Sequence, residues 1–360
     1  MIFLSPLLQK GEGLEERGKL KNNKNMKKII CISIFLAFVS VTNAQWVKKS
    51  NGLPTNLVIA NFVASGTNLF VGTNNGVYLS TNNGNNWIPY SNGLPNLITE
   101  LEVIGNNLFA ATQGSTGVYK STNNGANWTQ VNSGLTDLNV NRLTVKGTDL
   151  YAGTYDNGIF RTTNYGVNWS NCLNTSRVYS LQAIENDIYA GTHYAGVFRS
   201  TNNGLNWIGI NSGITFPVFG GFASVGNYIF AGTRDGGGVF RTTNYGNNWN
   251  TVNNGLIFTN EMKVCSKDSS LFAGNTTSGG VFISTNKGGN WVTMNDGFDT
   301  IPGIAILYVS NDYLFAGTTK GVWRFNLSPS IGGWVQKSSG LPANLVIANF
   351  VASGTNLFVG

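Results

Sequence analysis

The sequence predicts an all-β fold built from repeated four-stranded antiparallel units. Three observations carry that prediction. Tryptophan recurs at a near-constant interval: Trp46, Trp87, Trp128, Trp169, Trp207, Trp249, Trp291 and Trp334 are separated by 41, 41, 41, 38, 42, 42 and 43 residues. Glycine is abundant, 46 of 360 residues, and together with Asn it marks tight turns every few residues. Between those turns lie short runs in which large and small residues alternate. A period of ~40–45 residues with four short strands per unit is the pattern of propeller blades. The expected architecture is therefore a seven-bladed β-propeller of four-stranded antiparallel blades. Eight blades, the last incomplete, is the alternative.

The third unit shows how one repeat divides. Asn141–Val145 alternates and ends at a turn, Lys146-Gly147-Thr148-Asp149. Leu150–Thr154 is a second run, Tyr155-Asp156-Asn157-Gly158 a second turn, and Ile159–Thr162 a third run. A tight loop, Thr163–Asn168, leads to Trp169, which opens the fourth. We label these strands A to D, from the central channel outwards. Strand B recurs as Leu69-Phe70-Val71-Gly72, Ile188-Tyr189-Ala190-Gly191 and Leu314-Phe315-Ala316-Gly317, among others. Its aromatic residue is expected to fill one inter-blade space, and its small residues to let the neighbouring sheet approach.

The loop between strands C and D carries the strongest motif. It reads Ser80-Thr81-Asn82-Asn83-Gly84-Asn85-Asn86-Trp87 and returns at Ser121–Trp128, Thr162–Trp169, Ser200–Trp207, Thr242–Trp249 and Ser284–Trp291. Asn in the third place suits an Asx-turn to the backbone two residues on. Gly in the fifth place suits a positive φ. Trp in the eighth place is expected to pack between blades with its indole N–H meeting a turn carbonyl.

This motif resembles the Asp-box, or BNR-type, propeller repeat, whose pattern is Ser-x-Asp-x-Gly-x-Thr-Trp. Sialidases, xyloglucanases, sortilin-type receptors and photosystem II assembly-factor-like propellers carry that repeat. The resemblance spans residues 46 to 360. Asn replaces the family's Asp at the third place and its Thr at the seventh, and the loop from Asn326 to Trp334 has lost the pattern. The resemblance implies a structural hairpin on the face of the disc away from the ligand, so the box itself says little about catalysis.

Closure of the ring poses a specific question. Trp334–Gly360 matches Trp46–Gly72 at 24 of 27 positions, differing only at Lys48/Gln336, Asn51/Ser339 and Thr55/Ala343. Either Trp46–Ser50 or Trp334–Ser338 can serve as strand D of the last blade. We expect the propeller to span residues 45–338 and residues 339–360 to be a surplus partial repeat, the start of a truncated second lap.

The first 44 residues read as processing signal rather than fold. Met26-Lys27-Lys28, the apolar run Ile29–Val41 and Thr42-Asn43-Ala44 have the order of a secretory signal peptide cut after Ala44. The run has 13 residues, short of the ~18 a spanning helix needs. Residues 1–25 are read as an upstream extension from a start called too early, and residues 26–44 as the signal. The expected location is secreted or cell-envelope, with no integral membrane segment after cleavage and a monomeric chain.

Composition narrows the function classes. The net charge of +7 falls to +3 once residues 1–44 are set aside, and no basic run survives in the remainder. Nucleic-acid binding needs clustered Lys and Arg, so it is not expected. His193 is the only histidine, and no Cys/His cluster exists to complete a zinc site; no metal or cofactor is expected. No Gly-x-Ser-x-Gly elbow accompanies that histidine. Cys172 and Cys265 fall on different strands of different blades and are expected to be free, mostly buried thiols. Arg161, Arg199, Arg241 and Arg324 share one register on strand C, which marks structural surface residues rather than an arginine triad.

Because successive strands reverse direction, the D–A and B–C loops share one face of the disc. The A–B and C–D loops, including every box, share the other. The B–C turns vary most among otherwise uniform repeats. From them Tyr155, Asp156, His193, Tyr194, Arg234, Asp235 and Lys320 are the candidate ligand-binding residues. No catalytic residue is assigned. The expected function is an exported, non-catalytic scaffold that binds a protein or glycan at this face. The alternatives are a xyloglucanase-like carbohydrate hydrolase using acids such as Asp156 and Asp235, or a fragment of a longer cell-surface protein.

Overall fold

A computed structural model describes residues 45–215, 219–318 and 320–328, together with a hairpin of two strands, Phe350–Ser353 and Asn356–Val359. The Ala44–Pro329 unit carries seven four-stranded antiparallel sheets arranged as a β-propeller. Blade 1 comprises Ile59–Ser65, Asn68–Thr73, Gly76–Ser80 and Ile88–Pro89. Blade 3 comprises Val140–Lys146, Asp149–Thr154, Ile159–Thr162 and Ser170–Leu173. Both run A–B–C–D as hydrogen-bonded neighbours, as the repeat predicts.

Strand B packs as its composition dictates. Phe70, Phe109, Tyr151, Tyr189, Phe230, Phe272 and Phe315 are buried to 1% exposure or less, so the aromatic belt lies wholly between sheets. The glycine two residues later gives the next blade room. A Cβ on Gly72 would sit 2.7 Å from Ile98 Cγ2, and one on Gly153 would sit 2.6 Å from Val178 Cγ1. Gly317 makes the same approach to Ile59, which brings blade 7 against blade 1. The Ala64 N–H donates to Tyr308 Oη at 3.0 Å across that junction.

The C–D loops explain the motif and correct one expectation. Asn82 Oδ1 accepts from the N–H of Asn86, four residues on, at 2.9 Å, while Ser80 Oγ accepts from Gly84 at 2.9 Å. The expected two-residue Asx-turn is replaced because two successive residues are left-handed: Asn83 at φ 55° and Gly84 at φ 79°. The fourth place is left-handed in every copy, whether it is Asn, Tyr165, Tyr245 or Lys287. The indole N–H reaches the outer strand of the preceding blade, as in Trp87 to Lys49 O at 2.8 Å and Trp169 to Val131 O at 2.8 Å. Each box thus ties two blades together. Trp207 is the exception: its indole nitrogen is buried with no hydrogen-bond partner among the described residues. The carbonyl three residues past the previous Trp belongs there to Cys172, in the repeat shortened to 38 residues, on a strand whose register shifts.

The N-terminal copy closes the ring. Val47–Lys48 pairs antiparallel with Gly321–Asn326, Val47 opposite Arg324 and Lys48 opposite Trp323. Lys49 N–H donates to Val322 O at 2.7 Å. Trp46, 1% exposed, donates its indole N–H to Met294 O at 2.7 Å and stacks on Phe298 at 4.9 Å. The blade-7 sheet therefore unites the two ends of the propeller, the usual answer to an otherwise open edge. The rival segment Trp334–Ser338 and the expected signal lie outside the described residues. The hairpin Phe350–Ser353/Asn356–Val359 pairs Phe350 with Val359, the register that Phe62 and Val71 have in blade 1.

Cys172 and Cys265 are free and half-buried. Arg161 and Arg199 hold Asp149 and Asp187 on the adjacent strand B at 2.6 Å. That is the structural role their shared register predicts. Among the described residues no helix is long and apolar enough to cross a membrane.

Candidate functional site

Seven A strands enclose a central cavity of about 540 Å³. Register defines its layers. In six blades a bulge follows the first A–B pair, and the third A-strand residue then lies opposite the small residue of strand B. Blade 6 lacks the bulge, and its second residue, Lys263, takes that place opposite Gly274. Around the ring this layer reads Asn61, Glu100, Arg142, Ser180, Gly221, Lys263 and Ile306. Five of the seven carry polar or charged side chains, although the layers above and below are assembled from the same repeat.

The charges are arranged by side. Glu100 accepts from Asn61 Nδ2 and faces Arg142 at 3.8 Å. Asn61 Oδ1 in turn accepts the Leu101 N–H at 3.1 Å, which fixes its amide. Lys263 Nζ donates to Gly220 O at 3.4 Å across the blade 5–6 junction. Between Arg142 and Lys263 stand only Ser180 and Gly221. A Cβ built on Gly221 meets nothing within 4 Å, so the wall there is recessed. Burial pushes the Glu100 carboxyl up to about 7 against the opposing pull of Arg142 and Lys263. Burial also lifts Glu102, one layer deeper, to about 8, and the Glu100 charge adds to it. Lys263 is pushed down to about 7 by burial first, then by Arg142 and Arg234.

The face of the D–A and B–C loops, at the starts of the A strands, is the mouth of the ring. There, blades 3 to 5 contribute one continuous cluster. The Arg177 guanidinium lies 3.4 Å from the Tyr155 ring centroid, and its NH1 donates to Tyr179 Oη at 2.8 Å. Arg234 covers the Tyr179 ring at 4.4 Å and pairs with Glu261 at 3.4 Å. His193 meets Tyr179 edge-on at 5.3 Å and touches Tyr194 at 3.8 Å. Tyr194 is 77% exposed. Thr276 donates to Glu261, and that bond, with Arg234, holds the Glu261 carboxyl below its usual range. Such cation–ring contacts favour flat, preorganised surfaces.

The turns that carry these side chains are held from below. Asp137, buried, accepts the N–H of Asn139 at 2.9 Å, of Asp156 at 2.6 Å and of Asn157 at 3.3 Å. His193 N–H donates to Arg177 O and Glu261 N–H to Arg234 O. These rim N–H groups are therefore already bonded within the rim.

Of the residues singled out in the sequence, Tyr155, His193, Tyr194 and Arg234 come together here. Asp156 and Asp235 are exposed in turns of blades 3 and 5, with the His193–Tyr194 turn of blade 4 between them. Lys320 stands on blade 7, across the ring, where it donates to Thr300. Comparing turns alone missed Arg177, Tyr179 and Glu261, which lie at the starts of A strands, and the layer of Glu100, Arg142 and Lys263. The signal was present: aligned on the repeat, the third A-strand position is as variable as any turn. Among the described residues no group of three His, Cys, Asp or Glu is placed to hold a metal ion.

No protein-family model matches the chain, and no curated protein does either. Solved structures share its fold. YCF48 from Cyanidioschyzon merolae is similar at TM-score 0.59 and 15% identity, covering 79% of this chain and 98% of that one. The GH74 xyloglucanase from Xanthomonas campestris gives TM-score 0.62 at 15% identity, covering 79% of this chain and 54% of the enzyme. The extracellular domain of BT4673 from B. thetaiotaomicron gives 0.61 at 16%, covering 78% and 39%. The chain thus spans about half the length of the xyloglucanase it resembles.

Proposed function

We propose that this chain is an exported binding propeller whose D–A/B–C face, over blades 3 to 5, takes a protein or glycan ligand. The observation that carries the reading is the Tyr155–Arg177–Tyr179–His193–Tyr194–Arg234 cluster on that face. Exposed aromatic rings backed by fixed guanidinium groups are the side chains that dominate recognition surfaces. They stand on turns locked by Asp137 and by rim hydrogen bonds, so little ordering cost remains on binding. The export reading rests on residues 26–44. The similar folds include both YCF48, solved bound to a peptide, and a xyloglucanase, so the site rather than the fold supports this function.

The test is a glycan array and a photo-crosslinker placed at residue 194, with Leu205 as the control position. Leu205 is 71% exposed on a C–D loop of the opposite face. Adducts from position 194 and none from 205 are expected, and a Tyr155→Ala, Tyr194→Ala variant should lose binding at least about tenfold. Adducts from 205 alone contradict the reading.

One observation favours hydrolysis as a second reading. Glu100 and Glu102 share a face of one strand, two residues apart, and both line the channel, so two carboxyls, the minimum a glycosidase needs, stand in one cavity. Both carboxyls are held toward the acid form at neutral pH. Reducing-sugar release from a polysaccharide panel that vanishes in Glu100→Gln or Glu102→Gln supports this reading; release that survives both and vanishes in Asp156→Asn, Asp235→Asn moves it to the turn acids.

A further inference from the structure

The layer of A-strand residues in the channel is asymmetric in a way the repeat does not require. One arc carries Asn61, Glu100 and Ile306. The other carries Arg142, Ser180, Gly221 and Lys263, two cations flanking two of the smallest side chains. The recess over Gly221 is real space, since a Cβ there meets nothing within 4 Å. Its neighbour Gly220 is different: a Cβ on it would press on Met262 O at 2.6 Å. Packing therefore demands glycine at 220, and nothing in the packing demands it at 221. On the neighbouring D–A/B–C face Arg234 and Arg177 are both laid on the Tyr179 ring.

The charges around the recess do not cancel. Glu261 is taken by Arg234 and Thr276, and Glu100 by Arg142 and Asn61. Among the described residues Lys263 has no carboxylate partner within ion-pair distance; its donor contact is the Gly220 carbonyl. A small anionic group seated over Ser180 and Gly221 would supply the missing counter-charge to Lys263 and would lie beside Arg142. The rim decides what carries that group. Main-chain donors of the rim at Asp156, His193 and Glu261 are already bonded within it, which removes them as partners for an added peptide strand. What it offers is the exposed ring of Tyr194 and the part of Tyr155 that Arg177 leaves uncovered, which suit the flat C–H face of a sugar.

We propose that the recess over Ser180 and Gly221, between Arg142 and Lys263, is a carboxylate subsite for an acidic glycan whose neighbouring sugars lie on the tyrosines of the mouth. The carboxylate enters as a charged group, so its affinity falls with salt and with loss of the Lys263 proton. This rests on the reading of the mouth as the ligand face.

The experiment is titration calorimetry on the folded chain with three probes in low salt: a galacturonic acid trimer, its methyl ester and a glutamate peptide of equal charge. The trimer should bind at least about tenfold tighter than the ester and than the peptide. Gly221→Leu fills the recess without a backbone clash, and Lys263→Met removes the charge at nearly constant length. Each should erase the preference for acid over ester while leaving ester binding intact. Both variants are first matched to the parent by circular dichroism and melting; Gly221→Ala is the gentler substitute if leucine unfolds the sheet. Equal binding of trimer and ester, weakened alike by Tyr155→Ala, overturns the subsite and leaves the mouth reading standing. A peptide that binds as tightly as the trimer overturns the glycan assignment. An acid preference that survives Gly221→Leu and Lys263→Met overturns the location, and no binding of any probe overturns the subsite altogether.

Discussion

Asp137 is the residue whose replacement tests the mouth most economically, because one carboxylate holds a whole turn. Its two oxygens accept three backbone N–H groups, from Asn139, Asp156 and Asn157, at 2.9, 2.6 and 3.3 Å. Hydrogen bonds to a charged group contribute ~1.5–3 kcal/mol each, with the longest of these at or below the low end. Asp137→Asn keeps one acceptor oxygen and points an NH2 group at donors that need an acceptor. At least one strong bond is lost, and the Asp156 and Asn157 donors are left facing another donor. The expected cost is about 3 kcal/mol. For a propeller of this size that is a fall in melting temperature of roughly 5 °C. Urea unfolding followed by tryptophan fluorescence gives the free energy, and an unchanged m-value shows that the unfolded state is not the cause. Tyr155 sits on the same turn beneath Arg177, so ligand affinity at the mouth should fall with it, by roughly fivefold or more. A cost below about 0.5 kcal/mol would refute the claim that this carboxylate organises the rim.

Further expectations follow from individual contacts. Trp249→Phe removes a buried indole bond to Ile210 O at 2.9 Å and should cost about 1–2 kcal/mol more than Trp207→Phe, whose indole nitrogen is unpartnered; denaturant midpoints of the two variants compare them. Trp46→Ala empties the closing junction beside Phe298 and Phe325 and should cost ~3–5 kcal/mol, read by melting; a neutral result would mean that the N-terminal strand does not close the ring. The pH profile of Glu102→Gln has a definite sign. The Glu102 carboxyl titrates near 4.5 when unfolded and about 8 when folded, so folding disfavours its charge and the parent loses stability as pH rises from about 4.5 to 8. The variant should therefore match the parent near pH 4 and exceed it by on the order of 1–3 kcal/mol above pH 8, measured by urea unfolding across that range; an advantage confined to acid pH contradicts the burial argument. Affinity for an acidic ligand should fall between pH 6 and 8 as Lys263, flanked by Arg142, Arg234, Glu261 and Glu100, loses its proton near 7; a flat profile would separate Lys263 from binding.

Much of the fold was legible because its determinants are local. The Asn–Gly loops and the trailing Trp repeat within eight residues, and Asn83–Gly84 in the left-handed region needs no tertiary context to turn the chain. The blade number followed from the Trp period. Closure was not legible, because Trp46–Ser50 and Trp334–Ser338 carry almost the same residues and only pairing with Gly321–Asn326 distinguishes them. The channel layer was not legible either. Asn61 and Ile306 become neighbours only when the ring closes over the intervening chain, and the missing bulge of blade 6 shifts Lys263 by one residue into line with Arg142. Four rim residues were found because turns vary visibly. Tyr179 and Arg177 were not, because they begin a strand whose alternation reads as ordinary core.

A ligand received by the D–A/B–C face over blades 3 to 5 must shield the turns of that face, and amide hydrogen exchange with and without a saturating galacturonic acid trimer reads that shielding. Exchange should slow in the turns 154–158, 193–196 and 234–238, with no change in the C–D loops 81–86, 122–127 and 201–206. Protection confined to those C–D loops would place the ligand on the opposite face and contradict it.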